Sequence, residues 1–316
     1  MVPDESIDAS EAAPELVPQR QGYSIGPHRI PSPRLDCALY VVATPIGHLA
    51  DVTLRALETL SGAAMIACED TRVTRVLLDR YQIRTPLMAY HDHNADAVRP
   101  KILAALADGK PVALVSDAGT PLVSDPGFKL VQAAVDAGHR VIPIPGASAL
   151  LAALVGAGLP TDAFLFAGFL SSRQEARRQR IEALAPLAAT TIFYESPHRI
   201  GETLADLAAI MGADRPAVVA RELTKTFEEI VRGPLHVLAE RYATAKPKGE
   251  IVIVVGPAPA QATSDADVDR LLAAALARSA PGKAAAEVAR LTGRDRKELY
   301  ERVLAMKPAL AAGPTR

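Results

Sequence analysis

The stretch Leu39–Leu49, which reads LYVVATPIGHL, decides the fold of this chain. Its first five residues are apolar and rich in β-formers, and Thr44-Pro45-Ile46-Gly47 then ends the run. Asp51 can cap a helix after this turn, and that helix carries leucines on one face, at Leu54, Leu57 and Leu60. A buried strand, a tight loop and an amphipathic helix together indicate a parallel α/β sheet.

The same unit recurs along the first half of the chain. Strands are predicted over residues 64–68, 85–90, 112–116 and 140–144, and helices over 71–81, 98–107 and 128–137. This alternation indicates a doubly wound parallel sheet with both faces covered. Later strands lie closer together, which indicates a mixed sheet, and they are predicted over 163–169, 190–194, 217–221, 226–232 and 250–255. Residues 264–307 are predicted to be helical, with a helix–turn–helix pattern.

The sequence therefore predicts an α/β protein of four parts. Residues 1–36 hold six of the 25 prolines and follow no period, so a disordered tail is expected there. An N-terminal α/β domain is predicted over 37–146 and a second α/β domain over 147–257. A small helical, helix–turn–helix-like domain is predicted over 262–316.

Composition excludes several classes of function. The 316 residues have a net charge of -1, which argues against a protein held to nucleic acid by global charge alone. The two cysteines, Cys37 and Cys68, are too few for a disulfide framework or a thiolate metal site. No apolar run reaches the roughly 18 residues that span a bilayer. We therefore expect a soluble cytoplasmic protein without a membrane partner.

Three loops rich in glycine, proline and small residues follow predicted strands, over 44–49, 116–127 and 143–148. Ligands of parallel sheets bind beyond the carboxyl ends of the strands, where such stiff loops expose main-chain amides and carbonyls. None of the loops matches a phosphate-binding or dinucleotide fingerprint. Either a small-ligand site or ordinary turn chemistry accounts for their composition.

Six motifs in sequence carry a resemblance to a known family. They are LYVVATPIGHLADVTLRAL, CEDTR (68–72), SDAGTPLVSDPG (116–127), PIPGASALLAAL (143–154), FYESPHRI (193–200) and ARELTKTFEEIVRG (220–233). From about Leu39 to Val255 the chain resembles the ribosomal RNA small-subunit methyltransferase I group of the tetrapyrrole methylase superfamily. The resemblance implies two α/β domains with S-adenosylmethionine between them. It also implies methylation of the ribose 2′-hydroxyl of a cytidine in the decoding region of 16S rRNA, by a homodimer.

The resemblance also implies which residues hold the cofactor. These residues lie in short segments of both predicted domains: Pro45, Ser116, Asp117, Ala118, Gly119, Thr120, Pro121, Ser124, Ala147, Ser148, Ala149, Glu195, Leu223, Gly249, Glu250 and Ile251. Main-chain atoms of stiff loops can bind an amino acid and an adenine without long mobile side chains.

The ribose hydroxyl is a poor nucleophile, so a base is expected to orient or remove its proton. The candidate catalytic residues are Asp70, Glu195 and Glu222. A structural role is an alternative for each of them. Asp70 and Glu195 suit helix caps, and Glu222 suits an ion pair.

Basic residues in two segments are candidates for RNA contact. They are Arg173, Arg177, Arg178 and Arg180 in a predicted helix, and Arg294, Arg296 and Lys297 in the helix–turn–helix segment. Solvated helix faces are the alternative. His91 and His93 lie two residues apart without a third ligand at a usual spacing, so no metal is expected.

Two other functions fit the fold. A tetrapyrrole C-methyltransferase would carry a GxGPGD loop, where this chain has TPIGHL. A noncatalytic RNA-binding assembly factor would bind the cofactor without transferring its methyl group.

Overall fold

The structure is a computed structural model that describes residues 21–124, 127–245, 247–259 and 264–311, with side chains to residue 306. The chain forms two compact units, residues 1–257 and 258–316, and each has its own apolar core. Among the described residues, no helix combines the length and the apolar composition needed to cross a membrane.

The first unit contains twelve strands in the described part of the chain. They are β1 (Gly22–Ile25), β2 (His28–Pro31), β3 (Leu39–Val42), β4 (Met65–Cys68), β5 (Leu87–Ala89), β6 (Val112–Val115), β7 (Val141–Ile144), β8 (Phe164–Phe169), β9 (Thr190–Glu195), β10 (Pro216–Arg221), β11 (Glu229–Pro234) and β12 (Ile251–Val255). Its helices are α1 (Leu54–Gly62), α2 (Thr71–Arg80), α3 (Ala95–Ala107), α4 (Phe128–Asp136), α5 (Ala149–Ala157), α6 (Gln174–Leu184), α7 (Ile200–Met211) and α8 (Leu235–Tyr242).

The first large sheet is parallel throughout, in the order β5-β4-β6-β3-β7. Leu57 of α1 and Leu78 of α2 pack on one face, and Ile102 of α3 and Leu130 of α4 pack on the other. Helices on both faces explain why the strands are apolar along their whole length. The predicted doubly wound sheet is confirmed.

The second large sheet is mixed, in the order β11-β10-β12-β9-β8. Only β8 and β9 pair in parallel, and the other neighbours are antiparallel. Helices α6, α7 and α8 cover one face, and the apolar α5 packs on the other through Leu150 and Leu154. The predicted mixed sheet is confirmed.

The prediction of a disordered tail over 1–36 is wrong for the part of it that the structure describes. Strands β1 and β2 form an antiparallel hairpin there. The side chain of Tyr23 is buried in the same apolar core as residues of α1 and α2, and the main-chain N–H of Ser24 donates to the carbonyl of Tyr81 at 2.8 Å. An isolated hairpin is only marginally stable in water, so this one is stabilised by tertiary packing. Such packing produces no hydrophobic periodicity that could be recognised in the sequence. Residues 1–20 lie outside the described residues.

The strand predicted over 226–232 begins only at Glu229. Residues 222–228 instead form a tight loop in which Glu222 and Thr224 have positive φ values of 51° and 65°. Hydrogen bonds from the N–H of Lys225 to the carbonyl of Glu222 and from the N–H of Glu228 to the carbonyl of Lys225 close the loop.

The second unit contains three helices in its described part, α9 (Asp265–Leu276), α10 (Pro281–Thr292) and α11 (Arg296–Ala311). Val268, Val288 and Leu299 join them in a small core. Gly293, with a φ of 69°, ends α10 in a left-handed cap, as expected for the glycine of the predicted turn.

Candidate active site

The three loops predicted to form a ligand site meet at the carboxyl edge of the first sheet. Thr44, after β3, and Gly119, after β6, exchange main-chain hydrogen bonds of 2.8 and 3.1 Å. The hydroxyl of Thr120 donates to the carbonyl of Ala147, in the third loop, at 3.1 Å. Gly119 has a φ of 77°, and a Cβ there would lie 3.1 Å from Ile46, so the position favours glycine.

These loops line a cavity of about 430 Å³, here called the cofactor cavity, whose remaining wall comes from the second sheet. Most residues predicted to hold the cofactor line it: Asp117, Ala118, Gly119, Thr120, Ser124, Ser148, Ala149, Glu195, Gly249, Glu250 and Ile251. The small-ligand interpretation of the loops is therefore favoured over ordinary turn chemistry.

The other predicted cofactor residues lie outside this lining. Pro45 and Ser116 line an adjoining cavity, and Ala147 contributes the carbonyl that Thr120 binds. Pro121 is buried, and Leu223 belongs to the core between α5 and the second sheet.

Two aromatic residues in the wall were not predicted, Phe169 and Tyr194. Their rings pack edge to face with centroids 5.6 Å apart. Tyr194 belongs to the FYES motif, which is the one signal that could have indicated it. Phe169 reaches the cavity only because β8 pairs with β9, a contact that the sequence does not reveal.

Glu195, at the end of β9, has both of its carboxylate oxygens engaged. One oxygen accepts from the main-chain N–H of Ser196 at 2.6 Å and forms an ion pair with Arg199 at 2.8 Å. The other accepts from the hydroxyl of Thr203 at 2.6 Å. Because both oxygens are engaged and Arg199 neutralises the charge, this geometry favours anchoring of the wall over proton removal.

Asp70 caps α2, which is the structural role given above as the alternative to a catalytic one. Its carboxylate accepts from the main-chain N–H of Arg72 at 2.8 Å and forms an ion pair with the same residue. These hydrogen bonds to Arg72 lower the pKa of Asp70 to about 2, which makes it a weak base. Its own N–H donates to the Asp117 carboxylate at 2.9 Å and so orients a residue of the cofactor cavity.

Glu222 is also engaged in structural contacts. Its carboxylate accepts from Lys225 Nζ at 2.8 Å and from the N–H of Glu250 at 3.0 Å. The hydrogen bond from Lys225 lowers the pKa of Glu222. Gly249 has a φ of 92°, and a Cβ there would lie 2.2 Å from the Glu222 carboxylate. Glu222 thus fixes the Gly249–Ile251 wall of the cofactor cavity.

The predicted arginine cluster of α6 is not a single exposed face. Arg177 is only 1% exposed, and its guanidinium binds Asp206 of α7 at 2.8 Å. The prediction that Arg177 contacts RNA is wrong, because α7 supplies a buried acid opposite it. Arg178 binds the same carboxylate at 2.9 Å, whereas Arg173 and Arg180 are exposed.

In the second unit, Arg294 forms an ion pair with Asp265 at 2.6 Å. Arg296 and Lys297 are exposed at the start of α11. His91 and His93 contact each other edge to face, and within the described residues no group of three potential ligands could hold a metal ion.

A parallel sheet and a mixed sheet that line one cavity together define a two-sheet α/β protein with a ligand site between its sheets. A family model described as Tetrapyrrole (Corrin/Porphyrin) Methylases matches residues 38–239, and one described as the RsmI C-terminal HTH domain matches residues 262–307. The chain belongs to the tetrapyrrole methylase family, and its similar relatives carry the name ribosomal RNA small subunit methyltransferase I.

The relative from Mesorhizobium japonicum is 56% identical over 92% of this chain and 99% of its own length. The one from Xylella fastidiosa is 49% identical over 83% of this chain and 97% of its own length. The one from Escherichia coli O157:H7 is 45% identical over 84% and 94%. The resemblance inferred from the six motifs is confirmed.

Solved structures are similar in fold at low identity. A cobalt precorrin-4 methyltransferase matches with a TM-score of 0.56 at 18% identity, over 70% of this chain and 95% of that one. A diphthine synthase matches with a TM-score of 0.56 at 18% identity, over 69% and 89%. A Thermus thermophilus uroporphyrin-III C-methyltransferase complexed with S-adenosylhomocysteine matches with a TM-score of 0.50 at 18% identity, over 69% and 97%.

Proposed function

We propose that this chain uses S-adenosylmethionine to methylate the ribose 2′-hydroxyl of a cytidine in the decoding region of 16S rRNA. The observation that carries the proposal is the cofactor cavity, which is built from the motifs on which the resemblance to the ribosomal RNA methyltransferase group rests. The TPIGHL loop stands where a tetrapyrrole C-methyltransferase would have GxGPGD, which disfavours that alternative.

The residues of the cofactor cavity fit S-adenosylmethionine. Its volume of about 430 Å³ is within the usual range for small-molecule sites. Its lining combines main-chain groups of Asp117–Thr120 and Gly249–Ile251 with the aromatic surface of Phe169 and Tyr194. When bound, the cofactor supplies a methyl group already activated on a sulfonium. The chain's part is then to place the acceptor oxygen in line and to exclude water.

The three carboxylates predicted to be catalytic fit positioning roles in this scheme. Glu195 anchors the end of β9, Glu222 holds the turn at Gly249, and Asp70 orients Asp117 through its main-chain N–H. With the pKa of Asp70 at about 2 and that of Glu222 lowered, neither is matched to proton removal at neutral pH.

The natural partner in this proposal is the small ribosomal subunit, in the cytoplasm. Arg173, Arg180, Arg296 and Lys297 remain candidates for contact with its RNA, since all four are exposed. We also propose a homodimer, which the family resemblance supports. Exposed apolar side chains of α5 and β8, among them Val155 and Phe164, offer surface for self-association.

Methyl transfer is tested with tritium-labelled S-adenosylmethionine and small subunits that lack the modification, followed by nuclease mapping. Label on a cytidine ribose supports the proposed reaction. Label on a base contradicts it. Cofactor binding without any transfer of label would favour the noncatalytic assembly factor.

The cofactor site is tested by calorimetric titration of Gly119→Val against Gly109→Val. Both glycines have nearly the same φ, 77° and 78°, so the backbone strain is matched, but a Cβ at Gly109 meets only open space. We expect at least about a tenfold loss of S-adenosylmethionine affinity for Gly119→Val alone, equivalent to 1.4 kcal/mol. Asp117→Ala should weaken binding more than Asp108→Ala, which removes only a surface ion pair. Equal losses within either pair would contradict the site.

A further inference from the structure

A second cavity, of about 310 Å³, adjoins the cofactor cavity and is here called the α2 cavity. The two cavities have Ile46, Asp117, Ala118 and Glu250 in common. A group bound in the α2 cavity therefore lies against residues that also line the cofactor cavity. This continuity makes the α2 cavity a place from which an acceptor atom can reach the cofactor.

One wall of the α2 cavity is an apolar strip of helix α2. Val73 and Val76 line it and are 44% and 58% exposed, although they lie on a helix with three arginines. Leu49 and Pro45 continue the apolar wall. Apolar side chains left open beside a ligand cavity suit the flat face of a nucleobase, which is poorly solvated.

The polar side of the α2 cavity is formed by Asp117, Lys225 and Glu250. Lys225 lines the cavity, with its Nζ 2.8 Å from Glu222 and 3.2 Å from Glu250. Burial lowers the pKa of Lys225, but its hydrogen bond to Glu222 and the charge of Glu250 outweigh this effect, so the pKa is raised and the group stays cationic.

From these contacts we infer that the α2 cavity receives the target cytidine of the RNA. The base lies against Val73 and Val76, and the ribose lies at the wall formed by Asp117 and Ala118, with Lys225 as a hydrogen-bond donor on the polar side. This assignment rests on the proposed function, since it locates the acceptor of that reaction.

A third cavity, lined by Glu69, Arg72, His91 and His93, also reaches Asp117. It is the less suitable of the two for a base, because its lining is mostly charged or imidazole side chains. It also has only Glu69 and Asp117 in common with the cofactor cavity.

The test uses the full chain with Val76→Glu and a matched control, Val135→Glu. Val135 lies on α4 and is 57% exposed, so the two substitutions place the same charge at equally exposed valines. Binding of each variant to unmodified small subunits is measured directly, beside the KM for the subunit and the S-adenosylmethionine affinity.

We expect Val76→Glu to weaken subunit binding and raise KM about tenfold, because a carboxylate would face both the base and the phosphates. S-adenosylmethionine affinity should be unchanged, and Val135→Glu should match the wild type in every measurement. Equal subunit binding by the two variants would overturn the inference.

Val73→Glu is a second variant that tests whether the α2 cavity receives the target cytidine. If Val76→Glu lowers the melting temperature more than Val135→Glu does, Val73→Glu is used in its place. The same loss of subunit binding, with unchanged S-adenosylmethionine affinity, is then expected of Val73→Glu. Failure of the wild-type chain to label subunit RNA would count against the proposed function. Normal labelling by the Val76 and Val73 variants would count against the α2 cavity alone.

Discussion

Helices α2 and α6 look alike in sequence but use their arginines differently. Helix α2 reads TRVTRVLLDR and α6 reads QEARRQRIEAL. In α6, Arg177 is buried against Asp206 of α7, whereas in α2 Arg72 and Arg75 are exposed, on the helix whose valines line the α2 cavity. The spacing of arginines along one helix therefore does not distinguish an arginine that packs in the protein from one that is available to RNA. An arginine is buried where the neighbouring helix places a buried acid opposite it, as α7 does with Asp206.

The largest expected effect is that of Arg177→Ala on stability. Removing this side chain takes from the buried Asp206 carboxylate its buried partner and leaves only Arg178 bound to it, at a cost of about 1.5–3 kcal/mol in the free energy of unfolding. Arg180→Ala, on the exposed part of the same helix, should change it by less than about 0.5 kcal/mol. Urea unfolding at neutral pH measures both. Similar values for the two variants would mean that the α6 arginines are equivalent and would break the comparison.

The next effect concerns RNA and compares the two helices directly. Among the described residues Arg75 forms no ion pair, and Arg180 is likewise exposed and unpaired. We expect Arg75→Gln to weaken binding to small subunits and to reduce its dependence on salt by about one counterion. Arg180→Gln should have the smaller effect. A larger loss of subunit binding for Arg180→Gln would indicate that RNA contacts α6, as the sequence predicted.

The parts of the molecule that follow from local chemistry could be predicted from the sequence. The apolar run at Leu39–Val42 and the loop after it indicate the parallel sheet, and the glycines and prolines after β6 indicate the ligand site. Contacts between distant segments could not be predicted. The hairpin at Tyr23, the burial of Arg177 and the approach of Phe169 to Tyr194 each depend on a partner remote in sequence.

The smallest effect concerns the exposed ion pair of α2, where Asp70 binds Arg72. Because the folded-state pKa of Asp70 is lowered from 3.8 to about 2, its contribution to stability is complete above the ordinary pKa and is lost as pH falls towards 2. Asp70→Asn keeps an oxygen for the cap but removes this titration. The difference in melting temperature between the wild type and Asp70→Asn should therefore shrink as pH falls through that window.

The same variant separates the cap from the alternative role of general base. If Asp70 only caps α2 and orients Asp117, Asp70→Asn should keep most of its methyl transfer at pH 8, where S-adenosylmethionine and subunits are both saturating. Loss of transfer with unchanged cofactor affinity would instead assign proton removal to Asp70. In that case the exposed Asp70–Arg72 pair would take part in catalysis, whereas the buried Arg177–Asp206 pair would have a structural role only.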